Sequence, residues 1–225
     1  MEHVLDNPAW NALLLGNKNL GEGNGQVKYF DPEIAPFVGF KDNNAENFKL
    51  LYELMPNSVP AVFITPEPVD IPPLWEATRS IVCFQMLYEG TFETEPQNLV
   101  PLTDKDVPQM MALTQLTNPG PFLPRTIEFG HYEGIFDGGK LIAMAGQRMN
   151  PTPYAEISAV CTHPDYTGKG YARQLLLSQA SRIKAEGNIP FLHVRDDNTR
   201  AIKVYEGLGF VTRQQLHFYV LQKAK

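Results

Sequence analysis

Cysteine is scarce in this chain. Cys83 and Cys161 are the only two in 225 residues, which leaves no material for a disulfide framework. No grouping of Cys and His has the spacing of a zinc site, so no structural metal is expected. Long apolar runs are missing as well, and none approaches the ~20 residues that cross a bilayer. The stretch 12–15 is too short for the core of a secretory signal. No basic tract points to nucleic acid. These absences leave a cytoplasmic protein with neither a membrane nor a nucleic acid as partner. A hydrophobic content of 43% and a charged content of 20% are those of an ordinary globular chain, long enough for one large domain or two small ones.

Charge is divided unevenly. Residues 1–96 carry a net −9 and residues 97–225 a net +3. The positive part suits an anionic ligand. The acidic part, packed beside it, is expected to shape an acceptor site and to favour cationic amines, although plain solvation accounts for its charge equally well. The best boundary is the polar stretch 93–98. Before it, residues 8–15 read as a helix and the glycine cluster 21–25 as a flexible turn. Residues 45–55 read as a helix with Phe48, Leu51, Tyr52 and Met55 on one face. Segments 58–64 and 80–88 read as strands, and prolines break the remainder into loops. This half is a small α/β region, compatible with a degenerate copy of the fold that follows.

After the boundary the order is clearer. Thr103-Asp104-Lys105-Asp106 opens a helix through about Leu116 with a capping box. Strands are expected at 130–136 and 140–149, joined by a hairpin turn at Asp137-Gly138-Gly139, and at 154–162. A glycine loop and an amphipathic helix come next, with Ala172, Leu175, Leu176, Ala180 and Ile183 on one face and Gly187 at its end. Then follow a strand at 191–194, a helix at 199–206, and strands at 210–212 and 215–221.

The loop is the most informative segment. Val160-Cys161-Thr162-His163-Pro164 ends a strand, and Thr167-Gly168-Lys169-Gly170-Tyr171-Ala172 leads into a helix. A helix N-terminus behind glycines offers free backbone N–H groups to an anion. Gly168 and Gly170 let the backbone approach a phosphate closely. The lysine-containing nucleotide loop is absent, and the dinucleotide fingerprint would need glycine where Arg173 stands.

The loop resembles the acyl-coenzyme-A loop of the GNAT superfamily of N-acetyltransferases, Gln/Arg-x-x-Gly-x-Gly/Ala, with Thr167 departing from the first position. Asn198-x-x-Ala201-x-x-x-Tyr205-x-x-x-Gly209-Phe210 resembles a second stretch of that superfamily. The run 143–148 followed by 156–164 looks closest to its glycine-N-acyltransferase-like branch. The resemblance covers most of residues 97–225. It implies an α+β GNAT fold with a mixed central sheet, preceded by the smaller half. It also implies acetyl-CoA as acyl donor and a small amine or amino-acid-like molecule as acceptor. On that basis Val160 and Thr162 would offer backbone hydrogen bonds to pantetheine. Thr167, Gly168, Lys169, Gly170, Tyr171, Ala172 and Arg173 would hold the pyrophosphate, and Asn198 would touch the pantetheine arm. Asn198 is equally a plain helix cap.

Acyl transfer to an amine needs the thioester beside a neutral amine, a donor for the oxyanion and a proton for the departing thiolate. Tyr205 shares a helical face with Asn198, Ala201 and Ile202, and the resemblance makes it the acid. Glu156 is the candidate base, with a pKa raised by partial burial; a solvated strand-edge glutamate is the bland alternative. Strict alternation puts Glu156, Ser158 and Val160 on one face and Ile157, Ala159 and Cys161 on the other, a register that a bulge would change. Glu128 or water are the other candidate bases. His163 is expected to be structural and Cys161 a packing residue. Three functions remain open: an N-acetyltransferase working by direct attack in a ternary complex, a non-catalytic acyl-CoA sensor using the same loop, and an interaction protein with no cofactor.

Overall fold

A computed structural model describes residues 3–57, 59–91 and 99–224. The boundary expected at 93–98 lies outside the described residues, as does Ser58 at the start of the second expected segment. The described residues form eleven strands in one mixed sheet. In chain order the strands are β1 (Gly21–Gly23), β2 (Val27–Phe30), β3 (Phe37–Phe40), β4 (Ala61–Thr65), β5 (Trp75–Tyr88) and β6 (Val100–Pro101). They continue with β7 (Glu133–Asp137), β8 (Lys140–Gln147), β9 (Tyr154–Thr162), β10 (Ile189–Arg195) and β11 (Phe210–Lys223). The helices are α1 (Pro8–Leu14), α2 (Ala45–Leu54), α3 (Val107–Thr117), α4 (Tyr171–Ala185) and α5 (Thr199–Gly207). The spatial order is β1-β2-β3-β4-β11-β5-β10-β9-β8-β7-β6. Only β3·β4 and β9·β10 pair in parallel.

The two halves of the chain interleave in this sheet. β5 lies between β10 and β11 and pairs antiparallel with both. The acidic half therefore supplies a central strand.

Three sequence expectations are corrected. The glycine cluster at 21–25 is not a free turn, because Gly21–Gly23 pair with β2. Prolines 32 and 36 do not dissolve this region into loops; they sit between β2 and β3, off the ladder, where a missing N–H is harmless. The last two expected strands are one, bent by a register shift between Thr212 and Gln214.

Side-chain alternation sets the layers. Ala143 and Ala145 of β8 pack with Leu175 of α4, and their small size lets the helix lie close. Met144 points the other way, into a cluster with Met110 and Leu113 of α3. On α4, Leu175, Leu176, Ala180 and Ile183 are buried as its periodicity predicts, and each large side chain contributes roughly 1.5–3 kcal/mol. In the first half, Phe48 and Leu51 of α2 and Met55 just after it fill a cluster with Phe63 and Trp75. The Trp75 indole N–H donates to the Phe48 carbonyl at 2.9 Å. The capping box at Thr103 and Asp106 is present.

Candidate active site

β9 and β10 form a wedge. They pair only at Tyr154, Ala155 and Glu156. Beyond that point β10 stays with β5, so the β10-facing edge of β9 is left open toward Thr162. A bulge sits on the open part. Gly146 of β8 opposes Ser158 and Met144 opposes Cys161, so β9 carries one extra residue, and Ala159 has φ +53. The extra residue reverses the side-chain phase. Val160 packs with Ile157 on the α4–α5 side, whereas Cys161 joins the cluster containing Met110 of α3. The strict alternation is thereby corrected: Val160 leaves the face of Glu156, and Cys161 joins it.

Two cavities flank this wedge. The first, about 520 Å³, is lined by Val160 and Thr162 of β9, by Thr167, Gly168, Gly170, Tyr171, Ala172 and Arg173, and by α5 through Asn198 and Tyr205. Gly168 and Gly170 have φ +80 and +81, a left-handed backbone that side chains resist. A Cβ built on either meets no protein atom within 4 Å and would project into open space. Gly170 caps α4 without a side chain of its own. The first backbone bond of the helix runs from Gln174 N–H to the Gly170 carbonyl, which leaves the preceding amides for a ligand. The Thr162 hydroxyl is buried without a hydrogen-bond partner among the described residues. A cradle open where Cβ atoms would lie, a helix N-terminus and an orphaned hydroxyl together fit a phosphorylated, amide-bearing ligand such as acetyl-CoA. Three residues behave individually. The Thr167 hydroxyl donates to the Pro164 carbonyl at 3.1 Å. The Lys169 ammonium stands 4.8 Å over the Tyr166 ring and is not part of the lining. His163 caps the turn Pro164–Tyr166, a structural task.

The second cavity, about 730 Å³, lies on the other side of the wedge and draws its wall from both halves of the chain. Phe37, Val62, Ile81 and Cys83 come from the acidic half, Phe218 and Val220 from β11. The two cavities share Asn118, Pro119, Val160, Asn198 and Tyr205. Asn198 is the cap of α5, its Oδ1 accepting from Ala201 N–H at 3.1 Å. Tyr205 packs against Phe210 with ring centroids 5.9 Å apart. Burial pushes its phenol up to about 12, so it stays a proton donor at any working pH.

Glu156 requires a correction. It is fully buried, but its pKa goes down to about 2, not up. Desolvation acts upward, and the charge of Arg148 with the hydrogen bonds from Arg148 and His193 outweighs it. Arg148 reaches it through Nε at 2.9 Å and Nη2 at 2.5 Å, His193 Nδ1 at 2.7 Å, and Met149 N–H at 3.3 Å. A carboxylate with every lone pair engaged is a poor proton acceptor. The network continues outward. Gln85 Oε1 accepts from Arg213, so the Gln85 amide nitrogen donates to His193 Nε2 at 3.1 Å. This pattern assigns the His193 proton to Nδ1 and leaves neither ring nitrogen open. Glu128 stands apart from this network. It pairs with Arg125 and lines neither cavity.

The charge expectation is also corrected. Among the described residues lining the second cavity, Arg79, Arg148 and Arg195 face one carboxylate, Glu156. None of the described acids of residues 1–96 is in that lining, so there the acidic half contributes apolar side chains, Thr78 and Arg79. Sequence reasoning missed Arg148, His193 and Gln85. A histidine inside an otherwise apolar strand and an arginine directly after another were the available signal.

No grouping of His, Cys, Asp and Glu fit to hold a metal exists among the described residues. None of the described helices is long and apolar enough to cross a membrane. The model of FR47-like proteins matches residues 132–219. The chain is 31% identical over 131 residues to the N-alpha-acetyltransferase RimI of Mycobacterium tuberculosis, covering 53% of this chain and 82% of that one. A solved structure from Novosphingobium aromaticivorans, described as an acetyltransferase of the GNAT family, is 35% identical, covers all of both chains and superposes with a TM-score of 0.93. A Drosophila protein shares the fold at 16% identity, with a TM-score of 0.63 over 87% of this chain and 73% of its own. With the loop, the wedge and these relatives together, the chain belongs to the GNAT family of N-acetyltransferases.

Proposed function

We propose that the protein transfers the acetyl group of acetyl-CoA to a primary amine by direct attack within a ternary complex. The observation that carries this reading is the meeting of two cavities at Val160, Asn198 and Tyr205. One has the cradle for a pyrophosphate, and the other opens on the opposite side of the same wedge. Acetyl-CoA enters the first, with Gly168 to Arg173 around its phosphates and the open edge of β9 at Val160 and Thr162 along its pantetheine. The amine enters the second. The nitrogen forms a bond to the acyl carbon, the carbon–sulfur bond breaks, and Tyr205 gives the thiolate its proton. The amine's surplus proton leaves to water, which in turn reprotonates the Tyr205 phenolate, because the one carboxylate and the one imidazole among the described residues of the lining have no open acceptor.

A covalent route through cysteine is disfavoured. Cys83 lines the second cavity and Cys161 the first, yet burial pushes both thiols up to about 12. A thiol so rarely ionised is a weak nucleophile. Both are free and buried, which suits a cytoplasmic setting. Within the family, the runs 143–148 and 156–164 support a place in the glycine-N-acyltransferase-like branch.

Tyr205→Phe tests the reading. Loss of a proton donor to a leaving group costs about 10²–10⁴-fold, and a thiolate belongs at the low end. Turnover is expected to fall about 10²-fold with little change in acetyl-CoA affinity. Unchanged turnover across pH would reduce Tyr205 to packing. Retained CoA binding without turnover on any amine, in the unaltered protein, would instead favour a sensor.

A further inference from the structure

We infer that the acceptor is an amine whose apolar body ends, far from the nitrogen, in a carboxylate received by Arg148. The inference rests on the acetyltransferase reading above and concerns the far end of the same second cavity. Arg148 is held as a fixed fork. Its guanidinium lies 4.5 Å from the centre of the Phe37 ring, and its side chain is 11% exposed. Nε and Nη2 are spent on Glu156, while Nη1 has no hydrogen-bond partner among the described residues. Both Glu156 oxygens are saturated by Arg148, His193 and Met149 N–H. The node therefore presents a donor to the cavity and no acceptor, and a ligand group that meets it must accept. Charge narrows the choice. Arg195 is matched by Asp197 in a two-bond ion pair. Arg79 lines the same cavity with no ion pair among the described residues. The cation left without an ion pair among the described residues is the exposed Arg79, and the lining as a whole, three arginines to one carboxylate, favours a carboxylate over a neutral carbonyl at Nη1 and disfavours a second ammonium group.

Spacing gives the shape. The acetyl group is delivered near Val160, and Arg148 is docked on Glu156 of the same strand. Four residues of regular strand would span about 13 Å; the bulge at Ala159 shortens that span but leaves Val160 and Glu156 on opposite faces of β9. An α-amino acid, with nitrogen and carboxylate on one carbon, cannot touch both ends. A chain such as an ω-amino acid can, with its methylenes against Phe37, Ile81 and Phe218.

The experiment compares kcat/KM of the full chain for 6-aminohexanoate, 8-aminooctanoate, 6-aminohexanamide, hexylamine, 1,6-diaminohexane and leucine, all with acetyl-CoA. The ω-amino acids should exceed hexylamine and the diamine about tenfold or more, the usual worth of a charge-assisted hydrogen bond. Arg148→Lys should collapse the ratio of 6-aminohexanoate to hexylamine. A merely structural loss would lower both alike and leave the ratio standing. Calorimetry in the presence of CoA, with N-acetyl-6-aminohexanoate against N-hexylacetamide, reads the same preference without turnover, so a failure of catalysis cannot hide the answer. Equal or better use of hexylamine, the diamine or leucine, or equal binding of the two acetylated products, overturns the inference. Acetyl transfer that lacks the preference overturns this inference alone, whereas CoA binding with no transfer to any amine overturns the reading beneath it.

Discussion

Replacing Glu156 by glutamine is expected to cost about 3–5 kcal/mol of stability, the usual consequence of removing one partner of a buried ion pair. The mutation leaves Arg148, nearly buried, without its counter-charge, and replaces one carboxylate oxygen by an NH₂ group, so that either His193 Nδ1–H or Met149 N–H meets a donor in place of its acceptor. The pH dependence identifies the cause. The Glu156 pKa is depressed from 4.5 to about 2 in the folded chain. Its contribution is complete above the unfolded value and disappears as pH falls through the folded one. The stability gap between wild type and E156Q should be widest near neutrality, close as pH drops from about 4.5 toward 2, and nearly vanish below that. Denaturant titration across this range measures it. A gap that ignores pH, or a folded variant whose rate fails only at low pH, would return Glu156 to the role of base.

Gly170→Glu is expected to weaken acetyl-CoA binding by at least ~100-fold. The new side chain projects into the open cradle at the start of α4, where no protein atom lies within 4 Å of its Cβ. Two like charges about 4 Å apart near a protein surface repel by about 4 kcal/mol, more than the ~2.7 kcal/mol that a hundredfold requires. The φ of +81 adds strain of its own, about 1–2 kcal/mol for a left-handed residue. Gly170→Ala separates the two effects, since it carries the strain and not the charge. Calorimetry with acetyl-CoA should rank wild type above G170A and G170A above G170E. A well-folded G170E with wild-type affinity removes the loop from the site.

What could be read from the sequence was local. The loop and α4 are specified by neighbours within one segment: two glycines, an amphipathic run, a terminating Gly187. β9 was readable to its last residue for the same reason, and Asn198 announced α5 by its capping chemistry. What could not be read depended on distant partners. Glu156 looks like a base until Arg148, eight residues away, and His193, thirty-seven away, are seen to saturate it. The reversal of phase at Val160 comes from a bulge that alternation alone does not reveal. β2 and β3 were hidden by prolines 32 and 36, which punctuate the strands without interrupting them. Net charge misled for a related reason. It averages over a surface, whereas a ligand in the second cavity would see only its wall, and there Arg79 is the one charged residue among the described residues of the acidic half.

Direct transfer between two substrates bound on either side of one wedge is most directly tested by an initial-rate matrix. Acetyl-CoA is varied at several fixed concentrations of an amine. Double-reciprocal lines that intersect mean that both substrates must be present before any product leaves, the result expected from cavities that share Val160, Asn198 and Tyr205. Parallel lines, the signature of an acetyl group parked on the enzyme and carried across in a second step, would contradict it.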